Sequence, residues 1–317
     1  MQEHTNRVSI EQWLNMPDEG IANYISPLHI SVMYIIDGSR RHFLLSQPEA
    51  DYQKSIDDFD FLGYGQHTAN QCVSAYNLFF SHGIEIVMQP ALYPPNFLRG
   101  AKYVKGAVGL SKALWLKSPY SELYEKFGVR CRLYGDYDVA PNAALVRQGI
   151  DELAEMLEQA TPKGEKLLLQ GFNAGSFNDE LIARAINLQA ELGRIPTELE
   201  LRQKCYPFGP TKIDLLIDSG RLKSGTYLPS LLDGGKTDLY FLNHLAFDLE
   251  RDTLRHILYD HIFLRPIAPE DDMSYSAEIL IGLKSYYTEH KDCLVGVGRL
   301  TSSGQLWYSN HRHISDV

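Results

Sequence analysis

The stretch LHISVMYIIDGSRRHFLL, residues 28–45, joins an apolar run to a short polar segment and indicates the fold class. The run ISVMYII is rich in β-branched and aromatic residues and is short for a helix, as is typical of a strand buried on both faces. Asp37 therefore falls at the carboxyl end of a buried strand. In open α/β sheets, ligands bind at that edge.

The residues around Asp37 have the composition of an anion-binding turn. Gly38 permits a tight turn, and Ser39 is expected to cap a helix that begins near Arg40. The guanidiniums of Arg40 and Arg41 beside a helix N-terminus would bind an anion, most naturally a phosphate. An ordinary surface turn with solvated charges explains the same residues, so this stretch alone leaves both interpretations open.

Composition restricts the class of protein. The 317 residues are 44% hydrophobic and 22% charged, with a formal net charge of -10, as in an ordinary globular protein. That sign of charge argues against a nucleic-acid or anionic-membrane surface. The N-terminal residues carry no secretion or lipidation signal, and no run of residues is apolar enough for a membrane span. We therefore expect a cytoplasmic protein without nucleic-acid partners or stable membrane insertion.

Cysteines and histidines give no sign of a metal centre. Cys72, Cys131, Cys205 and Cys293 lie far apart without a CxxC pair, so neither a zinc site nor a disulfide framework is indicated.

Apolar runs typical of strands recur along the chain, and helical patterns separate most of them. The runs lie at 29–36, 84–89, 129–134, 167–172, 213–217 and 293–300. The helical patterns include 66–83, 144–160 and 176–193. This alternation predicts an α/β protein with a parallel sheet covered on both faces. Without a linker or repeat, we expect one domain over 1–317 with a helical C-terminal extension at about 250–290.

Polar segments follow three of the predicted strands. They are Asp37–Arg41, Tyr134–Asp138 and Gly171–Ser176. Parallel strands place their carboxyl ends at one edge of the sheet, so these segments are expected to converge there. This convergence favours the anion site over the surface turn.

The motifs resemble those of a known family. A buried strand followed by Asp-Gly-polar-Arg resembles the first motif of the cis-prenyltransferases, such as undecaprenyl diphosphate synthase. GFNAGSFNDELIARA at 171–185 occupies the place of that family's Asn-Tyr-Gly-Gly segment, and DLYF at 238–241 is similar to its Ser-Glu-Leu-Tyr-Phe segment.

The sequence is more similar still to one branch, the tuberculosinol and tuberculosinyl adenosine synthases of mycobacteria. The shared segments are DGSRRHF (37–43), DYQ (51–53), HGIE (82–85), YGDY (134–137), GKTDLYF (235–241), ILYDHIFLR (257–265) and VGVGR (295–299). They run in the same order over most of the chain, from about 5 to 300. The resemblance implies a central, mostly parallel sheet flanked by helices that enclose a hydrophobic tunnel.

Two departures separate the chain from the elongating members. Those enzymes hold isopentenyl diphosphate with an Arg-rich segment that contains a metal-binding glutamate, whereas residues 218–235 here retain only Arg221. Their aromatic Ser-Glu-Asn segment is replaced by PALYPPNFLRG at 90–100. We therefore expect one allylic diphosphate to bind and ionise without a second.

The resemblance also implies roles for individual residues. Gly38, Ser39, Arg40, Arg41 and Arg221 would bind the diphosphate. Asp37 matches the essential aspartate of the family, which would coordinate Mg²⁺ or act as a base. Tyr52 matches a catalytic tyrosine of the branch, although a tyrosine in this context is often a half-buried packing residue.

Three functions fit these observations. The first is a terpene synthase that ionises a long-chain, diterpenoid prenyl diphosphate, with cyclisation or capture of the cation by water. The second is a prenyltransferase that passes the prenyl group to a nucleophile such as adenosine. Here Asp136 and Asp138 would belong either to an acceptor pocket or to a solvated loop. The third is a non-catalytic partner subunit, against which retention of Asp37 and both arginines argues. We expect an allylic prenyl diphosphate as substrate, Mg²⁺ as cofactor and a homodimer.

Overall fold

A computed structural model describes residues 8–137, 143–219, 228–233, 235–265, 275–290, 298–300, 302 and 307–309. These residues form two compact units. The described residues of the larger unit lie between positions 16 and 249, and those of the smaller unit lie at 8–15 and from 250 onward.

A six-stranded sheet forms the centre of the larger unit. Its strands are β1 (Ser31–Ile35), β2 (Ile86–Leu92), β3 (Val129–Tyr134), β4 (Lys166–Phe172), β5 (Leu215–Asp218) and β6 (Asp238–Phe241). The spatial order is β3-β4-β2-β1-β5-β6, and each neighbouring pair is parallel. The predicted α/β class with a parallel sheet is confirmed.

The described α-helices are numbered in chain order. They are α1 (Ile10–Leu14), α2 (Asp18–Ile25), α3 (Ser39–Leu45), α4 (Tyr52–Asp57), α5 (Phe61–Ser81), α6 (Pro94–Phe97), α7 (Ala101–Leu114), α8 (Tyr120–Phe127), α9 (Ala143–Ala160), α10 (Phe177–Leu192), α11 (Glu198–Cys205), α12 (Ser230–Asp233), α13 (Arg251–Tyr259) and α14 (Ala277–Glu289). Short 3₁₀ helices cover Ser26–Leu28, Glu49–Asp51 and Ala246–Asp248. Helical crossovers of this kind are what parallel strands require, because consecutive parallel strands cannot be joined by a tight turn.

Helices cover both faces of the sheet. The sequence of β1 is almost wholly apolar because this strand is buried on both faces. All five residues of β1 are at most 3% exposed. Met33 and Ile35 belong to a core cluster that includes Leu188 of α10 and Leu201 of α11. The ring of Tyr34 points the other way and packs edge-on against Phe79 of α5, with 5.1 Å between ring centroids. A strand buried on both faces has no position for an alternating polar residue.

The predicted strand runs correspond closely to the first five strands. β3 has the predicted bounds, and the ends of β1, β2, β4 and β5 differ from the predicted ends by at most three residues. Strand β6 was not predicted as a strand, because its four residues are partly exposed and show no long apolar run. The described part of the run at 293–300 is β7 (Gly298–Leu300), which pairs antiparallel with β8 (Trp307–Ser309) in a separate two-stranded sheet.

Helices α1 and α13 pack together in the smaller unit. The Trp13 indole Nε1 donates a hydrogen bond of 2.9 Å to the Arg255 carbonyl oxygen. The fully buried Arg255 guanidinium donates to the Leu14 carbonyl oxygen at 2.5 Å. Trp13 also contacts the ring of Phe263, with centroids 5.3 Å apart.

Helices α13 and α14 lie within the predicted helical extension at 250–290, and a π-helical turn, Asp260–Leu264, follows α13. The prediction of a single domain over 1–317 stays a prediction, because compactness alone does not decide whether the two units fold independently.

Candidate functional site

Asp37 lies where the sequence predicted, at the carboxyl edge of the parallel sheet. β1 ends at Ile35, and Asp37 follows after one residue. Gly38 has a φ of +84° and is the N-cap residue of α3, so Ser39 is the first helical residue and not the cap. The predicted cap at Ser39 is wrong because Gly38 adopts the left-handed conformation and the helix begins one residue earlier than predicted.

The Asp37 carboxylate and the Arg41 guanidinium form an open ion pair. Asp37 Oδ1 lies 3.6 Å from Arg41 Nη2, and both side chains are about half exposed, at 54% and 50%. The backbone is held more firmly, because the Ser219 hydroxyl donates to the Asp37 carbonyl oxygen at 3.2 Å. Exposed pairs of this kind contribute little to stability, about 0–1 kcal/mol. Both charges therefore remain available to a ligand.

Arg40 and Ser39 have other partners. The Arg40 guanidinium lies over the ring of Phe59, 5.1 Å from its centroid. The Ser39 hydroxyl is hydrogen-bonded to the Tyr64 hydroxyl on α5 at 2.8 Å. Burial raises the pKa of Tyr64, an effect that the bond to Ser39 opposes. The two predicted phosphate-binding arginines thus sit on one short helix but contact different neighbours.

A compact group of aromatic rings lies beside Ser39 and Arg40. Phe43, Phe59 and Tyr64 contact one another with ring centroids 5.4 to 5.8 Å apart. Such rings present apolar faces with negative π density. Sequence reasoning missed Tyr64 because the predicted helix began at residue 66, after that position.

Two histidines and an aspartate form a second cluster at α3. His42 on α3 contacts His67 on α5, and its other ring nitrogen faces Asp248. Sequence reasoning did not identify these residues. The available signal was that His42 directly follows the two arginines and that His67 lies one helical turn after Tyr64.

Tyr52 is the first residue of α4 and is half buried. Its hydroxyl lies 3.5 Å from the Leu45 carbonyl oxygen at the end of α3, a long hydrogen bond. Pro48 follows the end of α3, and a 3₁₀ turn leads into α4. Within the described residues the Tyr52 hydroxyl makes no hydrogen bond to Asp37, so its role stays a prediction.

The polar segments after β3 and β4 meet each other at the same edge. The Ala174 amide donates to the Asp136 carbonyl oxygen at 2.8 Å, and the Asn173 amide donates to Leu92 at the end of β2 at 2.9 Å. β2 separates β4 from β1, so these segments form a group beside the Asp37 turn and not around it. Asp138, like Arg221 in the predicted diphosphate site, lies outside the described residues.

A buried glutamate lies beside the polar segments that follow β3 and β4, and it was not predicted from the sequence. Glu180 on α10 is 4% exposed and pairs with Arg184, whose Nε lies 2.9 Å from the Glu180 Oε1. Asn173 donates to Glu180 Oε2 at 3.4 Å. Burial raises the pKa of Glu180, and the nearby Arg184 opposes that shift.

The described residues contain no group of three or more His, Cys, Asp or Glu side chains arranged to hold a metal ion. In the same residues, no helix is long and apolar enough to cross a membrane.

No protein-family model matches the chain. The chain is 29% identical over 311 residues to the tuberculosinyl adenosine transferase of Mycobacterium tuberculosis, with 96% of this chain and 99% of that protein covered.

Two solved structures share the fold. One is lavandulyl diphosphate synthase from Lavandula x intermedia, in complex with dimethylallyl diphosphate, with a TM-score of 0.55 and 19% identity. The other is a probable undecaprenyl diphosphate synthase from Campylobacter jejuni, with a TM-score of 0.50 and 16% identity. Each alignment covers 73% of this chain and 94% of the other.

The sheet and its helices therefore have the cis-prenyltransferase fold. The predicted resemblance to the cis-prenyltransferases is confirmed, and the chain is similar to the tuberculosinyl adenosine transferase of Mycobacterium tuberculosis over nearly its whole length. The hydrophobic tunnel of the prediction stays a prediction.

Gly38→Ala tests the constraint at the Asp37 turn. A Cβ at Gly38 would lie 2.7 Å from Leu245 Cδ2 and 3.0 Å from Arg41 Nη2, in addition to the positive-φ strain. Gly193, the C-cap of α10, has the same left-handed conformation with a φ of +66°, but a Cβ added there would meet nothing within 4 Å, so Gly193→Ala carries the strain alone. Left-handed strain costs about 1–2 kcal/mol. We expect urea unfolding to show a greater loss of stability in Gly38→Ala; equal losses would contradict the crowding at Gly38.

Proposed function

We propose that this chain transfers the prenyl group of an allylic diphosphate to a nucleophilic acceptor, with adenosine the first candidate. The observation that carries the proposal is the similarity to tuberculosinyl adenosine transferase over 96% of the chain. It favours the predicted prenyltransferase over the terpene synthase that the sequence first suggested.

The Asp37 turn supports binding of a diphosphate. Arg41 is half exposed, and its pairing with Asp37 at 3.6 Å is weak, so it can turn toward a phosphate at little cost. Guanidinium–phosphate contacts are charge-assisted and often bidentate, which makes them stronger than an exposed pair. Arg40, Gly38 and Ser39 border the same position, and Arg221 stays a proposed diphosphate ligand on sequence grounds.

The aromatic group beside α3 supports ionisation of the substrate. Loss of diphosphate from an allylic carbon leaves positive charge on carbon, and ring faces stabilise cations by about 0.5–2 kcal/mol each. Phe43, Phe59 and Tyr64 supply such faces next to Arg40. Donors for the leaving group and rings for the cation are therefore adjacent.

Asp37 also fits the role of a protein ligand for Mg²⁺. Mg²⁺ is usually held by one or two carboxylates together with substrate phosphates, and Asp37 is a half-exposed carboxylate beside the arginines. Bound there, the ion would neutralise charge on the departing diphosphate.

The second candidate is the terpene synthase, in which water captures the cation. The loss of the Arg-rich segment for a second diphosphate supports both candidates against chain elongation, since residues 218–235 retain only Arg221. Both candidates bind one allylic diphosphate and differ in the acceptor. A non-catalytic partner subunit is disfavoured because Asp37, Arg40 and Arg41 are all present. Homodimerisation stays a proposal.

Product analysis separates these candidates. The protein is incubated with geranyl, farnesyl, geranylgeranyl and bicyclic diphosphates, with and without adenosine, and products are identified by mass spectrometry. We expect a prenylated adenosine, whereas an alcohol or hydrocarbon that forms regardless of adenosine would establish the terpene synthase. Radiolabelled isopentenyl diphosphate should not be incorporated, and a ladder of longer chains would overturn the single-diphosphate proposal.

Asp37→Asn tests the carboxylate. The variant keeps the side-chain shape and removes the charge that a metal ion or proton requires. We expect kcat to fall about 10²–10⁴-fold, the usual contribution of acid–base groups. Asp58→Asn, at an exposed aspartate that ends α4, is the matched control and should keep full activity. A well-folded Asp37→Asn with unchanged kcat would remove Asp37 from the mechanism.

Tyr52→Phe tests the proposed role of the phenol. The hydroxyl makes only a long contact of 3.5 Å to Leu45, so its loss should leave the melting temperature almost unchanged. If the hydroxyl acts near the cation, the rate or the product spectrum changes. Tyr52→Ala should also lower stability, because it removes the ring. A normal rate and product in Tyr52→Phe, with only Tyr52→Ala altered, would make Tyr52 a packing residue.

A further inference from the structure

Asp248, His42 and His67 form a continuous chain of polar groups. His42 Nε2 lies 3.2 Å from Asp248 Oδ1, and His42 Nδ1 lies 2.8 Å from His67 Nε2. The three residues come from the 3₁₀ helix Ala246–Asp248, from α3 and from α5. The His42 side chain is only 17% exposed, so these contacts replace most of its contact with water.

The order Asp248, His42, His67 determines where the protons reside. A neutral imidazole carries one N–H, and the Asp248 carboxylate favours that proton on His42 Nε2. His42 Nδ1 is then an acceptor, so the short contact requires His67 to donate from Nε2. The remaining nitrogen, His67 Nδ1, keeps its lone pair. Among the described residues, His67 Nδ1 has no hydrogen-bond partner.

Packing fixes the two rings in this arrangement. The His42 ring stands edge-on to Phe247, with centroids 5.3 Å apart. The His67 ring contacts Phe43 with centroids 5.5 Å apart. Neither imidazole can rotate freely without losing these contacts, so the proton order is preset.

The three hydrogen-bonded residues lie beside the proposed diphosphate site. His42 follows Arg41 directly, and His67 lies one turn after Tyr64, which bonds to Ser39 at 2.8 Å. The face of α3 that contacts α5 therefore carries Ser39 of the proposed diphosphate site together with His42, whereas Asp37 and Arg41 lie on the outer side of the same helix. Because the His67 ring contacts Phe43, one of the rings proposed to stabilise the allylic cation, we expect an acceptor that approaches that carbon to come close to His67.

We propose that His67 Nδ1 is the general base that takes the proton of the acceptor, with His42 and Asp248 as positioning residues; this rests on the proposed function. The acceptor's N–H or O–H heteroatom forms a bond to the allylic carbon as the carbon–oxygen bond to diphosphate breaks. The bonding electrons leave with the diphosphate, and the acceptor proton passes to His67 Nδ1. The Nε2 proton of His67 can then move to His42, where the imidazolium faces the Asp248 carboxylate.

The electrostatics keep His67 neutral before reaction. Burial and the neighbouring His42 lower the pKa of His67 from its ordinary value of 6.5. The other charged groups on the neighbouring elements are Arg40 and Arg41 on α3 and Asp248 on the 3₁₀ helix, and Tyr64 on α5, whose pKa is raised, is neutral in this pH range. A base must be unprotonated, so activity should be present at neutral pH and lost as the pH falls through the lowered pKa of His67.

Long-range proton–nitrogen NMR on histidine-labelled protein tests the proton order without substrate. We expect His67 as the Nε2–H tautomer at pH 7.5, with its signals assigned by their loss in His67→Gln. In Asp248→Asn the preference should weaken. A His67 that carries its proton on Nδ1 would overturn the proposal.

Kinetics test the base itself. We expect His67→Gln to lower kcat about 10²–10⁴-fold at little change in KM and to abolish the acidic limb of the pH profile. His29→Gln alters a histidine that pairs with Glu85 elsewhere in the same unit and should leave both unchanged. Asp248→Asn should lower kcat and shift the acidic limb. A folded His67→Gln with the original rate and pH profile would overturn the proposal.

Failure of the proposed function and failure of the base assignment give different results. If the product with every acceptor is a prenyl alcohol, the proposed nucleoside transfer fails, but water also gives up a proton and the His67 comparison still applies. If a prenylated adenosine forms with a rate that is independent of pH and of His67, the proposed function stands and the base assignment is wrong.

Discussion

The parallel direction of all six strands is the constraint on which the candidate site depends. Because β1 to β6 run the same way, their carboxyl ends share one edge, and the side chains that follow them can act together. Burial of β1 on both faces fixes its register, since a shift of one residue would turn Met33 and Tyr34 to the opposite faces of the sheet. The position of Asp37 therefore follows from core packing two residues earlier.

Helix α3 is held in position by contacts on its inner side. The Tyr34 hydroxyl on β1 donates to the Ala246 carbonyl oxygen, which ties the strand to the 3₁₀ helix that carries Asp248. Ser39 and His42 bind Tyr64 and His67 on α5. These contacts hold a helix of seven residues that would not be stable alone. The outer side, with Asp37 and Arg41, remains open to solvent.

Sequence patterns predicted local features well and distant contacts poorly. Five strands and helix α10 follow from patterns within a few residues of sequence, where short-range physics decides the outcome. Residues such as His42, His67 and Asp248 meet only through the packing of three elements, and no periodicity relates them. Glu180 was missed for the same reason, because an isolated glutamate on an amphipathic helix is ordinarily a surface residue.

The contrast between Asp37 and Glu180 shows how one edge supports two kinds of carboxylate. Asp37 is half exposed beside Arg41, so water and a loose ion pair stabilise its charge and leave it free to meet a cation. Glu180 is buried, and burial raises its pKa, while Arg184 and Asn173 offset the cost of its charge. A carboxylate with such fixed partners suits a structural or recognition role better than a metal-binding one. These surroundings favour the β1 end of the edge over the β3–β4 end as the place for the proposed diphosphate chemistry.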